Sequence, residues 1–251
     1  MAAPSPSDAG ETRLTVHHER PERVLVIVAH PDDADFGVAG TVAAWVAQGT
    51  VAELVCCTSG DAGADDAETD PLELARLREK EQRDAAAIVG YDAVTFLHRP
   101  DGALANDLAL REQLVRILRR VRPDAVVAPD PRVFIHAGRM VNHVDHRTAG
   151  AAAIDAVYPA SENAMAFPHL VRSEGLAPHH VSRLYLFWSE EPDIAVDIGA
   201  TLETKRRGVR AHASQIREPA GLDGFLGRSA ASEGARAGID AAESFSLVDL
   251  G

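Results

Sequence analysis

The run Val24-Leu25-Val26-Ile27-Val28-Ala29 is apolar and rich in β-branched residues, and it breaks off at His30-Pro31-Asp32-Asp33. Such a run reads as a strand covered on both faces, as in a parallel sheet. Residues 37–48, opening with Gly37, read as the helix that follows. Strand then helix is the repeating unit of layered α/β domains. The polar break therefore falls at the carboxyl end of a central strand, the edge where open α/β sheets bind ligands. A histidine and two carboxylates within four residues are costly to hold together. A metal ion is the usual reason to do so.

The same alternation continues along the chain. Residues 51–58 form the second strand candidate, and Asp70-Pro71 is a helix start, an N-cap followed by proline. That helix carries Leu74, Leu77, Ala85 and Ile88 inward and closes at Gly90. A short strand at 94–97, an amphipathic helix at 107–120 and a strand at 125–128 come next, then a long loop, 129–142, and a helix from about 143 to 157. Strands at 183–188 and 194–197 and a helix at 202–211 complete the pattern. Residues 218–238 are rich in Gly, Ala and Ser and read as a loop or mobile lid. The expected fold is α/β and Rossmann-like, a mostly parallel sheet with helices on both faces. Residues 1–21 read as a flexible N-terminal segment and 22–251 as a single domain.

Charge and cysteine content narrow the function classes. The 251 residues carry a formal net charge of −13. That argues against a nucleic-acid or anionic-membrane surface, which needs a basic patch. No segment has the length and apolarity of a membrane-inserting helix, and the start of the chain lacks signal-peptide character. The only cysteines, Cys56 and Cys57, are adjacent on a strand and so point to opposite faces. They read as reduced core residues of a cytoplasmic protein.

A second polar cluster, Asn142-His143-Val144-Asp145-His146-Arg147, follows the long loop after the 125–128 strand, again at the carboxyl edge. His143 and His146 are three apart and share one helix face. Each cluster alone has a bland reading: a loop histidine, an N-capping Asp pair, a surface His-x-x-His. Two such clusters at one predicted sheet edge favour a metal site instead. Two histidines and one carboxylate would leave an open position for water on zinc. A spare carboxylate beside that water could act as general base.

Ala29-His30-Pro31-Asp32-Asp33 with Gly37, and His143-Val144-Asp145-His146, resemble the two signature motifs of the PIG-L/LmbE-like family of zinc-dependent N-acetylglucosaminyl deacetylases and amidases. Weaker matches, including Thr58-Ser59-Gly60-Asp61, Arg78 with Glu81, Asp101-Gly102, Lys205, His212-Ala213-Ser214-Gln215 and Ala242-Glu243-Ser244-Phe245, extend the likeness over about residues 23–248. The resemblance implies a metal-dependent amide hydrolase acting on an aminosugar-type small molecule. In it His30, Asp33 and His146 hold one Zn2+ (Fe2+ being the alternative in a cell), Asp32 is the general base, and His143 stabilises the oxyanion or protonates the leaving amine. Asp145 would orient His143, and Arg78 and Asp101 would bind substrate. A structural Arg78–Glu81 ion pair and a turn role for Asp101 are their competing readings, while His98, His136 and His212 are further candidates for the pocket wall.

The chain departs from the signature at two points. The motif usually continues with Glu, and here Ala34 and Asp35 follow. Some members carry Tyr two residues before His143; here that residue is Val141. Other readings are a mycothiol S-conjugate-type amidase, a catalytically inactive ligand-binding member, and a receiver-like module. The last shares an acidic pair after its first strand but has no need of His30, His143 or His146. A homo-oligomer is compatible with the sequence.

Overall fold

The computed structural model describes residues 13–251. The first strands and helices are β1 (Thr15–Val16), β2 (Arg23–Val28), α1 (Asp33–Val46), β3 (Val51–Thr58), α2 (Pro71–Val89), β4 (Ala93–Arg99) and α3 (Leu108–Val121). Then come β5 (Ala125–Pro129), β6 (Ile135–His136), β7 (Met140–Val141), α4 (Val144–Asp155), a wide irregular turn Ala156–Ser161, and α5 (Pro168–Arg172). The last are β8 (Arg183–Phe187), β9 (Ile194–Asp197), α6 (Leu202–Arg210), a 3-10 turn Ala213–Gln215, α7 (Pro219–Ala237) and β10 (Ala242–Asp249).

Among the described residues, eight strands form one sheet in the order β1-β9-β10-β8-β5-β2-β3-β4. Neighbours are parallel except that β10 runs antiparallel to both β8 and β9. The fold is therefore the expected mostly parallel α/β sheet. The period-two geometry of β2 explains its apolar run. Leu25, Ile27 and Ala29 pack on one face against α3 and α4, and Val24, Val26 and Val28 on the other against α1 and α2. Each fully buried Val, Leu or Ile among them stabilises the fold by about 1.5–3 kcal/mol. Cys56 and Cys57 divide between the same two faces, both buried and unpaired.

From β2 the chain steps outward to β3 and β4, then returns to β5 on the other side of β2. That reversal opens a crevice at the carboxyl ends of β2 and β5. Helix α1 starts at Asp33, inside the polar motif rather than at Gly37. Gly37 is needed for contact instead: a Cβ there would lie 2.6 Å from the Phe187 ring.

Three expectations change. Residues 1–12 of the supposed flexible lead lie outside the described residues, but Leu14 is buried and Thr15–Val16 pair with Ile194 and Ala195. The long loop folds in part into the β6–β7 hairpin. Most clearly, the Gly/Ala/Ser-rich stretch is the helix α7. Leu222, Leu226, Ala230, Gly234 and Ala237 recur at helical spacing and are buried. Pro219 opens the helix and Gly238, at φ 75°, closes it. Gly234 lets it seat closely, since a Cβ there would meet the Ile239 carbonyl oxygen at 2.6 Å.

Candidate active site

The crevice deepens into a cavity of about 770 Å³ whose lining includes His30, Asp32, Asp33, Arg78, Asp101, His143 and His146. The two sequence clusters do meet. The His30 ring centroid lies 4.8 Å from that of His143 and 5.2 Å from that of His146. Asp33 bridges the histidines: Oδ1 is 3.1 Å from His146 Nε2, and Oδ2 is 3.6 Å from His30 Nδ1. Oδ2 also accepts from the Ala29 and His30 main-chain N–H groups, at 3.1 and 2.9 Å, which fixes the carboxylate. His146 Nδ1 bonds Asn142 Oδ1 at 3.0 Å, and the Asn142 amide in turn donates to the Val133 carbonyl. The second bond sets the amide's orientation, so His146 Nδ1 donates to Asn142 Oδ1, which turns Nε2 toward Asp33 Oδ1.

The site is built to hold positive charge. Burial alone would lower the His30 pKa, yet the carboxylates of Asp33, Asp101 and Asp145 push it up to about 12. His30 Nε2 meets Asp101 Oδ1 at 2.9 Å and Asp145 Oδ2 at 3.3 Å. Ligating atoms of His30, His143 and His146 lie within 4.8 Å of one another, as do those of His30, Asp101 and Asp145. Neither group includes Asp33, whose Oδ1 instead adjoins His146 and whose Oδ2 adjoins His30, so nitrogen and oxygen donors of the kind zinc takes surround His30. The residues present therefore fit a divalent metal.

Asp32 is held differently from its neighbour. It precedes α1 at φ 100°, ψ −32°, a left-handed conformation that costs a non-glycine residue about 1–3 kcal/mol. Its carboxylate lies 3.4 Å from the Arg78 guanidinium. Burial, and then the negative charge of Asp33, raise its pKa to about 6. His143 caps α4, its Nδ1 accepting from the Asp145 main-chain N–H at 3.2 Å. Burial and the nearby His30 lower its pKa, so the ring is neutral near pH 7 with its proton on Nε2.

Other predicted residues take less expected places. The Asp145 carboxylate does not reach His143. It accepts from the Gly102 and Leu104 N–H groups, at 2.7 and 3.1 Å, and contacts His30. The loop after β4 offers those two donors directly beneath the first turn of α4. Arg78 makes no pair with Glu81: it is buried, and donates to the Gly60 and Pro31 carbonyl oxygens at 3.0 and 2.7 Å. Glu81 binds Ser214 instead. Asp101 faces the cavity, anchored by the Ala62 N–H at 2.9 Å.

Of the three additional histidines, His136 lines the cavity, while His98 sits with Ser59 and Glu79 and His212 is wholly buried against Asp35. Val141 is exposed, and its hairpin presents Met140 to the cavity instead. Sequence reasoning missed Trp188, whose ring lies 5.0 Å from His146. It also missed Phe225, Leu226, Ser229 and Glu233 of α7, which form the far wall. Asn142 was visible in the second cluster, and its place just before the helix was the available signal.

Residues 25–157 match the PIG-L family model, described as GlcNAc-PI de-N-acetylase. The diacetylchitobiose deacetylase of Thermococcus kodakarensis is 33% identical over 200 residues, covering 78% of this chain and 71% of that protein. The 1D-myo-inositol 2-acetamido-2-deoxy-alpha-D-glucopyranoside deacetylase of Mycolicibacterium smegmatis is 30% identical, covering 79% and 81%. Among solved structures, the N,N'-diacetylchitobiose deacetylase of Pyrococcus horikoshii superimposes with a TM-score of 0.83 at 31% identity, covering 91% of this chain and 84% of that one.

Proposed function

The chain belongs to the PIG-L family of de-N-acetylases, and from that premise we propose that it is a zinc-dependent hydrolase that removes the N-acetyl group of an N-acetylglucosamine-type sugar or conjugate. What supports this reading is the different setting of two adjacent carboxylates. Asp33 is locked between His30 and His146, while Asp32 faces the cavity with a pKa raised to about 6. Membership of the family removes the receiver-like reading.

His30, Asp33 and His146 would hold the metal. When bound, Zn2+ supplies a Lewis acid that polarises the amide carbonyl and makes water acidic enough to attack near neutral pH. Asp32 takes the proton of the attacking water, and its raised pKa suits that task near neutral pH. His143, with its proton on Nε2, donates a hydrogen bond to the oxygen that gains negative charge. The proton collected by Asp32 leaves with the free amine. Arg78 keeps Asp32 in place by bracing both its carboxylate and the Pro31 carbonyl. Asp101 lines the cavity beside His30, where its carboxylate could accept from a sugar hydroxyl.

The test is a panel of N-acetylglucosamine conjugates incubated with zinc-loaded protein, with released acetate and free amine measured. Stoichiometric release of both from at least one member is expected. Release of neither from any member, at one bound metal per chain, overturns the reading.

A further inference from the structure

We propose that Gln82, backed by Asp35 and His212, is a positioning residue for the general base: its side-chain amide holds the main chain of Asp32 in the left-handed turn that separates the two aspartates. The inference rests on the reading of Asp32 as that base. Consecutive carboxylates can serve different partners only if the backbone between them turns sharply. Here the turn is the conformation of Asp32, φ 100°. An L-residue stays there only when its surroundings hold it.

The holding contact comes from a distant element. Gln82, fully buried on α2, accepts from the Asp32 N–H through Oε1 at 2.9 Å. Its Nε2 donates to Asp35 Oδ2 at 2.8 Å. A carboxylate only accepts, so Asp35 forces the amide's nitrogen toward itself and its oxygen toward Asp32. His212 Nε2 meets the same Asp35 oxygen at 2.9 Å. Asp35 and His212 are both fully buried.

None of the three residues lines the cavity. Away from the cavity wall, they would influence the reaction through Asp32, whose main-chain N–H Gln82 holds directly. Stability is a weak reason for the arrangement, because buried ionic groups are commonly neutral or costly beside apolar replacements. Ala34, where the motif usually continues with Glu, is buried and offers no polar group. The partner of the Asp32 N–H is therefore Gln82, itself held by Asp35, while Arg78 braces the Pro31 carbonyl and the Asp32 carboxylate.

Gln82→Leu removes both ends of the amide at similar volume. Expected are a kcat lowered by about 10- to 100-fold, the scale of a small misplacement of a reacting group, an unchanged KM, and unchanged metal content. The Asp32 backbone amide should also exchange its hydrogen faster in the metal-loaded protein, a readout independent of turnover. Asp35→Asn keeps an acceptor for Gln82 and should preserve kcat, while Asp35→Ala should match Gln82→Leu. The double variant Gln82→Leu with Asp35→Ala should fall no lower than the worse single one, as residues acting as a unit do.

A full kcat in folded Gln82→Leu overturns the proposal; should that variant not fold, a full kcat in Asp35→Ala overturns it equally. A kcat loss explained entirely by lost metal does the same. Asp32→Asn, assayed alongside, separates the two failures. If it stays active, the base assignment falls and this proposal with it. If it is inactive while Gln82→Leu is unimpaired, only the positioning role falls.

Discussion

One wall of the cavity is held by directed bonds and the other by packing. At the carboxyl ends of β2 and β5, Asp33, Asp145 and His146 each have at least one named hydrogen-bond partner that fixes their angle. Across the cavity, α7 contributes Phe225, Leu226 and Ala230, positioned by the burial of one helix face. Directed bonds preorganise groups that must meet a transition state. Packing against small side chains shapes a surface without fixing individual atoms. The first wall is therefore suited to a single chemistry and the second to selecting what enters.

The sharpest way to break this contrast is to remove the metal. Chelation should abolish amide hydrolysis while leaving the fold, followed by circular dichroism, intact, and zinc should restore it. Activity in metal-free protein would refute the role given to the bonded wall. Next in size, Asp32→Ala should keep about one zinc per chain, as a single three-ligand site implies. It should lose about 10²–10⁴-fold in kcat; unchanged turnover would remove Asp32 from its role.

On the packed wall the effects should change in kind. Leu226→Ala deletes a side chain only 2% exposed and should cost about 2–4 kcal/mol of stability, read as a lower urea midpoint. Per folded molecule its kcat should hold; a large fall in kcat would mean that α7 acts in the chemistry. Smallest of all, Phe225→Ala trims a half-exposed ring at the cavity and should raise KM by a few-fold, with kcat unchanged. An effect on kcat alone would reverse the assignment of selection to this wall.

The same division governs what the sequence reveals. His30, Asp32, Asp33, His143 and His146 were legible because so many ionisable groups in so few residues need a cause, and strand-end placement supplied the location. Alternating burial on β2 was legible for the same local reason. Helix α7 was not, because glycine, alanine and serine are as common in loops as in a helix that must sit close to a neighbour. Its identity depends on Leu222 and Leu226 meeting Val209 of α6, a contact no local pattern contains. Gln82 and Trp188 fail for a related reason: what matters is which element they face. Asp145 is the instructive middle case. Its presence at the site was readable, but the destination of its carboxylate depended on two N–H groups more than 40 residues away.

The position of β10 has a consequence for how the enzyme comes into being. It lies in the interior of the sheet, between β9 and β8, although it follows both in the chain. It also carries Glu243, which pairs with Lys205 at 2.6 Å and accepts from the Gly40 and Thr41 N–H groups of α1. A nascent chain that has emerged from the ribosome through α7 still lacks the seam joining two parts of its sheet and the anchor on its catalytic helix. Strand β10 therefore joins β8 to β9 and, through Glu243, ties that part of the sheet to α1, the helix that opens beside the crevice.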